Sequence, residues 1–341
     1  MTAAPKRRPD SSRLQDLALS FQKSAALMSA VDLGVFTAIS QGATSEHEVA
    51  AAVSITPTNA ERLLTVLRTL GLVVDDEGKL VNAPDAERFL VEGERDYAGP
   101  WILFTRPRWN DYGQLTEHLR SGEESRLSRS TRDMTVDGAR DYHRATYSVG
   151  LGAGRRFARQ VDLSGRRLML DIGGGSGAYS IVATQQWPEL EAVVFDLPPV
   201  TVVTAEFVDA AGVSDRVRTA AGDFTADPLP AGADIAVMAS NLPMYSREII
   251  GSVVAKAFEA IAPGGEMHLI GEIVDDDKAG PMGPALWGLA EAVSHSTGLA
   301  HSRADCIGYF ESAGFIDVTA TEFVRATLTR ITGTKPAQED A

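Results

Sequence analysis

The sequence predicts an α/β fold: a doubly wound, mostly parallel sheet closed by an antiparallel hairpin, behind an N-terminal helical module. Three observations predict it. From Arg167 onward short apolar runs alternate with helical stretches, the order that a parallel sheet with crossover helices requires. The first of these runs, Leu168-Met169-Leu170-Asp171-Ile172, opens directly into Gly173-Gly174-Gly175-Ser176-Gly177, a strand ending in a glycine-rich turn. Residues 1–95 instead carry apolar positions at helical spacing and then a hairpin pattern.

At 341 residues the chain has room for two cores, and 44 % apolar with 23 % charged residues excludes a disordered chain. Three parts are expected: an N-terminal module over 1–95, a helical connector over 96–160 and the sheet domain over 161–341. No apolar run reaches the roughly 18 residues that cross a bilayer. Met1 to Arg13 is basic, but no apolar stretch follows it, so it reads as a frayed tail rather than a secretory leader, as does 335–341. The single cysteine, Cys306, excludes an internal disulfide and fits a reducing, cytoplasmic setting; beside an apolar helix it reads as filler rather than nucleophile. The balance of 32 basic against 46 acidic residues, formally −14, repels nucleic acid and anionic membrane and leaves small molecules as the default partners.

In the N-terminal module, Leu14, Leu17, Phe21, Ala25 and Met28 place a helix over 14–39, and Thr44-Ser45-Glu46 signals the start of a second. A third is expected from Thr58 to Leu70, ended by Gly71. Leu72-Val73-Val74, an acidic turn at Asp75-Asp76-Glu77-Gly78, and Lys79-Leu80-Val81 then read as a hairpin. Three helices and a hairpin make a winged-helix pattern. The third helix offers only Arg62 and Arg68 as cations, and the wing tip is acidic, so DNA binding is disfavoured. The first helix is longer than such a module needs, which favours packing against a second copy. The connector carries Tyr97, Trp101, Phe104, Trp109, Tyr112, Tyr142 and Tyr147, enough rings to wall a pocket for a flat acceptor. Strands follow at 168–172, 192–195, 217–221, 235–239, 266–273, 316–323 and 327–333. The last two lie too close for a crossover and should pair antiparallel at one end of the sheet.

Glycines let the chain turn sharply after the first strand and let a ligand lie against the backbone. The spacing here is G-x-G-x-G, not the G-x-G-x-x-G that brings a pyrophosphate onto a helix N-terminus. Asp171 just before it would oppose a pyrophosphate; it suits a ligand with positive charge, such as the amino group and sulfonium of S-adenosylmethionine. A dehydrogenase reading fails on both points. Asp196 closes the next strand about 20 residues on, where an acid accepts ribose hydroxyls. Gly222-Asp223-Phe224 follows the third strand, with Asp223 placed for an adenine amine and Phe224 for its ring.

These motifs make the chain resemble the two-domain small-molecule O-methyltransferases of plant phenolic and bacterial polyketide pathways. The resemblance is carried by Asp171 to Gly177, Phe195-Asp196-Leu197-Pro198-Pro199-Val200, Gly222-Asp223-Phe224 with Asp227-Pro228-Leu229-Pro230, and Ala262-Pro263-Gly264-Gly265. It spans nearly the whole chain and implies a class I, Rossmann-like methyltransferase fold over 161–341, S-adenosylmethionine as cofactor, S-adenosylhomocysteine as product, and a homodimer through the N-terminal domain. The cofactor-binding set it implies is Asp171, Gly173, Gly175, Gly177, Asp196, Leu197, Gly222, Asp223, Phe224 and Ser240.

The sequence departs from the family at the base. O-methylating members read Leu-His-Asp-Trp after the fourth strand, and that His takes the acceptor's proton. Here the segment is Asn241-Leu242-Pro243-Met244-Tyr245-Ser246; Pro243 stands at the His position and Tyr245 at the Trp position. Proline moves no proton. A Tyr-Ser segment of this kind also resembles the bacteriochlorophyllide methyltransferase branch, which methylates a ring carbon without the His. C-methylation is therefore favoured over O- or N-methylation. The remaining base candidates are His295, His143 and His301; Tyr245 lies in the same segment as Pro243, and Glu272, ending the fifth strand, is placed to orient a substrate or a His, or else serves packing, while His47, His118 and His268 read as structural. No cluster has metal-ligand spacing, and Asp275-Asp276-Asp277 reads as a solvated loop. Two other functions stay open: the same cofactor used for hydroxylation, decarboxylation or cyclisation, and a winged-helix metabolite sensor.

Overall fold

The computed structural model describes residues 10–122, 125 and 133–337. They form two compact units, residues 1–107 and 108–341, so the connector of the sequence reading is shared: its residues 96–107 fold with the first unit and 108–160 with the second. Most of the two expected tails lies outside the described residues. Two of their members are held. Ser12 already opens the first helix, and the Lys335 ammonium donates to the carbonyls of Phe258 and Ile261.

In the first unit the expected helix over 14–39 is two helices, Ser12–Leu33 and Val35–Ser40, because Gly34 adopts φ 75° and caps the first in the left-handed region. Ser45 and Glu48 form a capping box for the helix Glu46–Ala52. Thr56 caps Pro57–Thr69, with proline at its first position. The hairpin pairs β1 (Val73–Asp76) with β2 (Lys79–Asn82). Phe36, Leu64 and Leu67 are wholly buried at the centre of this unit, each contributing about 1.5–3 kcal/mol of burial energy.

The second unit is a seven-stranded sheet. In chain order its strands are β3 (Leu168–Ile172), β4 (Glu191–Asp196), β5 (Val217–Ala221), β6 (Ala233–Ala239) and β7 (Ile261–Gly271), then, after the two-residue strands β8 (Ile273–Val274) and β9 (His301–Ser302), β10 (Ile316–Val324) and β11 (Leu328–Thr334). The spatial order is β10-β11-β7-β6-β3-β4-β5, parallel from β7 to β5, with the β10–β11 hairpin antiparallel at one end. The fifth strand is shorter at its end than expected. It stops at Gly271, and Ile273–Val274 turns away to pair with His301–Ser302, leaving Glu272 in the break.

Both faces of the central strands are covered, and the period of two divides their side chains between two cores. Leu170, Ile172, Val193, Phe195, Met267 and Leu269 enter one; Met169, Ala192, Val194, Ile235, Val237 and Ile270 enter the other. The same alternation puts Asp171, Asp196 and Glu272 on the second side, which the long helix Val136–Gln160 and the helix Ala178–Gln186 cover.

Candidate active site

The ligand site is built where parallel strands end. Past β3 the chain turns at Gly173 and Gly175, with φ 62° and 57°, and enters the helix Ala178–Gln186. A Cβ at Gly173 would stand 2.7 Å from the Asn241 amide and 2.8 Å from the Phe224 ring; one at Gly175 would meet the His143 ring at 2.5 Å. The loop is pinned from three sides. The Gly173 N–H donates to the Phe195 carbonyl (2.8 Å), the Asn241 amide donates to the Gly173 carbonyl (3.1 Å), and the Gly175 N–H donates to the Asp196 carboxylate (2.9 Å). The other Asp196 oxygen accepts from the Leu197 N–H at 2.7 Å, so each oxygen keeps a lone pair for a ligand hydroxyl.

Asp171 lies beneath the loop, buried, accepting a hydrogen bond from Ser180 at 2.7 Å and touching Gly174. Asp223 Oδ1 takes the N–H and hydroxyl of Thr225, which leaves its second oxygen open. Phe224 is buried and meets Tyr245 edge to face at 5.2 Å. Ser240 follows β6 with φ 58° and is exposed, its N–H held by the Ile270 carbonyl. The trio lies at the carboxyl ends of the neighbouring parallel strands β3, β4 and β5.

Its electrostatics fit a cation. Burial pushes Asp171 and Asp196 each up to about 6, and the charge on Asp196 raises Asp171 further. Glu272 is pushed up to about 7 by burial, and its Oε2 has no hydrogen-bond partner. Acids raised in this way favour the folded state when protonated; that contribution is complete below about 4 and is lost as pH rises through about 6 to 7. A cationic ligand answers the ionised carboxylates. S-adenosylmethionine is therefore expected to raise the melting temperature more at about pH 8 than at about pH 5.5, and equal increments in a thermal-shift assay would refute this.

The base candidates fall in different settings. His143 is buried with its ring on Gly175, and burial pushes it down to about 4, so it stays neutral and packs the loop. His301 is buried and engaged on both nitrogens, by the Tyr309 hydroxyl and the Tyr245 carbonyl, both at 2.9 Å, so it braces the segment rather than reaching an acceptor. His295 caps the helix Met282–Ser294 in the left-handed region and pairs with His118 at 3.1 Å; the partnership gives His118 its structural role. Tyr245 is core, and burial raises its hydroxyl beyond ionisation at neutral pH. Pro243 is buried in a short 3-10 turn, its carbonyl close against Gly298. Among the described residues no group of His, Cys, Asp or Glu could hold a metal ion.

Sequence reasoning gave no role to Asn241, Arg108 or Glu291, and counted Tyr142 among the rings expected to wall a pocket. Tyr142 keeps 38 % of its surface exposed, and burial of its hydroxyl pushes that group up to about 12. Glu272, Asp196 and Glu291 add to that shift, and Arg108 opposes it. Only Tyr142 had a signal in the sequence, as one ring of an aromatic-rich stretch.

Comparison with known proteins identifies the family and the fold. Residues 131–316 match the O-methyltransferase domain, and residues 15–92, the winged-helix pattern, match the O-methyltransferase dimerisation domain. The chain is 32 % identical to 3-hydroxy-5-methyl-1-naphthoate 3-O-methyltransferase of Streptomyces sahachiroi over 317 residues, 91 % of each chain. It is 29 % identical to the N,N-dimethyltransferase OxyT of Streptomyces rimosus over 89 % of this chain and 90 % of that one. Human N-acetylserotonin methyltransferase, solved in complex with S-adenosylmethionine, shares the fold: TM-score 0.83 at 24 % identity, over 98 % of this chain and all of that one.

Proposed function

Since the chain belongs to the O-methyltransferase family, a family of S-adenosylmethionine-dependent enzymes, we propose that it methylates a phenolic secondary metabolite whose hydroxyl proton is taken by Glu272. The observation that carries this is the buried Oε2 of Glu272, which has no hydrogen-bond partner, on a carboxyl that burial pushes up to about 7. A base with that pKa exchanges protons readily at neutral pH. When bound, the cofactor supplies an electrophilic methyl group. Asp196 and Asp223 would hold its ribose and adenine, Phe224 its ring, and the Gly173–Gly175 backbone its methionine part. Tyr142 and the walls around it would orient the acceptor, and alignment in a dry site supplies much of the remaining acceleration.

Pro243 favoured a ring carbon as acceptor because the family's histidine is absent; with Glu272 as the base, the hydroxyl oxygen returns to the front. The ring carbon stays as a second reading for one reason. Glu272 would generate a phenolate, which is nucleophilic at oxygen and at its ortho and para carbons. Incubation of the enzyme with hydroxynaphthoates and deuteromethyl-labelled cofactor separates the readings. Mass spectrometry should show a labelled product with stoichiometric S-adenosylhomocysteine, and NMR should place the methyl on oxygen. Cofactor consumed with no methylated product would overturn the proposal.

A homodimer and a cytoplasmic location belong to the same proposal. Leu14 and Leu17, on one stripe of the first helix, are 57 % and 62 % exposed, although their spacing marks them for burial. The wild type is expected to elute at twice 36.4 kDa by light scattering, and a Leu14→Asp, Leu17→Asp variant at the single mass. A variant that stays dimeric would place the interface elsewhere.

A further inference from the structure

The end of the helix Val136–Gln160 lies across the hairpin edge of the sheet. Phe157 meets the His268 ring of β7 edge to face at 5.3 Å, and the Arg156 guanidinium stands over the Phe323 ring of β10 at 5.9 Å. β11 runs between those two strands. Its register sets Thr332 against His268, Arg330 against Thr321 and Leu328 against Val324, so the line from His268 to Phe323 passes over Arg330. Arg330 shares a face with Leu328, which enters the same core as Phe157 and Phe323. The two arginines therefore border one ring, one from the helix above and one from the strand below.

This place is rich in donors and poor in acceptors. Nε of Arg156, and Nε and Nη1 of Arg330, are buried without a hydrogen-bond partner. The one carboxylate on this part of β7, Glu266, is engaged by Arg166 at 2.7 Å and stands 3.4 Å from His268. Thr332 is spent on the other His268 nitrogen at 3.3 Å. Among the described residues neither Arg156 nor Arg330 forms an ion pair. Burial lowers the pKa of His268 and pulls Arg330 below its usual value. Buried donors on charged groups are costly unless an acceptor meets them. Both arginines are only half-buried, so an ion from solvent can reach them.

We propose that Arg156 and Arg330 form a binding site for a small tetrahedral oxyanion, inorganic phosphate or the phosphate group of a metabolite, between the end of the helix Val136–Gln160 and the β10–β11 hairpin. The donors approach from a helix and from a strand. A tetrahedral ion offers oxygens in both directions, whereas a carboxylate offers two in one plane, and its double charge matches two guanidiniums. The site is separate from the cofactor's. Asp171 and Asp196 end β3 and β4, on the far side of β7 and β6 from the hairpin, and acids there would repel an anion.

Inorganic phosphate is titrated into the enzyme calorimetrically at constant ionic strength, with glycerol 3-phosphate in a second series. The wild type is expected to bind phosphate with a Kd of about 1 mM or below. Arg330→Gln and Arg156→Gln should each weaken it by about tenfold or more, the effect of a lost hydrogen bond to a charged group, while Arg159→Gln, at an exposed arginine one turn on, should leave it within about twofold. Phosphate should raise the melting temperature of the wild type and not that of the Arg156 and Arg330 variants. S-adenosylhomocysteine affinity and the melting temperature without phosphate, measured for every variant, show that the fold is intact. Tighter binding of phosphate assigns the site to the free ion, and tighter binding of glycerol 3-phosphate to a phosphorylated metabolite. No binding by the wild type, binding that survives in both the Arg156 and Arg330 variants, or an equal loss in Arg159→Gln would overturn the proposal. Methyl transfer is a separate readout, so the function can stand while this assignment fails.

Discussion

Asp196→Asn weakens S-adenosylmethionine binding by about ten- to a hundredfold, the expected cost of one or two hydrogen bonds to a charged group. The carboxylate does two things that an amide cannot repeat. It receives the Gly175 and Leu197 N–H groups together, 2.9 and 2.7 Å away, and so joins the glycine turn after β3 to the end of β4. It also supplies negative charge to a buried place that has Asp171 beside it. The amide keeps one acceptor oxygen and turns two donors towards neighbours that are themselves donors. Calorimetric titration of both proteins measures the effect. An unchanged dissociation constant would mean that the cofactor is not held at the end of β4.

Glu272→Gln should lower kcat by about a hundred- to ten-thousandfold, the usual contribution of a positioned proton acceptor, with S-adenosylmethionine affinity changed by no more than about threefold. The pH profile carries the sharper sign. A base must be ionised, so the wild-type rate should rise with pH through about 7, where burial has moved this carboxyl, and level off above it. The variant should lack that limb. If it keeps the limb, another group takes the proton; if its kcat is within about tenfold of wild type, Glu272 only positions the acceptor. An unaltered rate with a ring-methylated product would favour an acceptor that arrives already ionised.

The parts legible in the sequence are those that short-range chemistry dictates. Capping at Ser45, the alternation of strand and helix after Arg167 and the glycine turn at Gly173–Gly177 are local consequences of side-chain type and spacing, and all appear where expected. The three acids converge for a related reason. Parallel strands connected by helices end on the same edge of the sheet, so Asp171, Asp196 and Asp223, each at a strand end, are brought together by topology alone. Where local reading missed, a local cause is visible: one glycine in the left-handed conformation splits the first helix, and the fifth strand ends early because Ile273 finds a partner in His301.

Catalytic candidates were a different matter. His143, His295 and His301 look alike in the sequence, as half-apolar stretches with an imidazole. Packing separates them: one lies neutral on the glycine loop, one pairs with His118, and one is locked between Tyr309 and a backbone carbonyl. Glu291 reads as one more helix residue until the end of the helix Met282–Ser294 buries it against the Ser296 hydroxyl. The sequence by itself determined the fold, the family and the cofactor, because each rests on patterns within a few residues or on strand order. Tertiary structure alone decided which acids and histidines are buried and what each of them meets. Burial and the charges of distant segments set a group's pKa and reach, and neither is a property of the residues next to it in the chain.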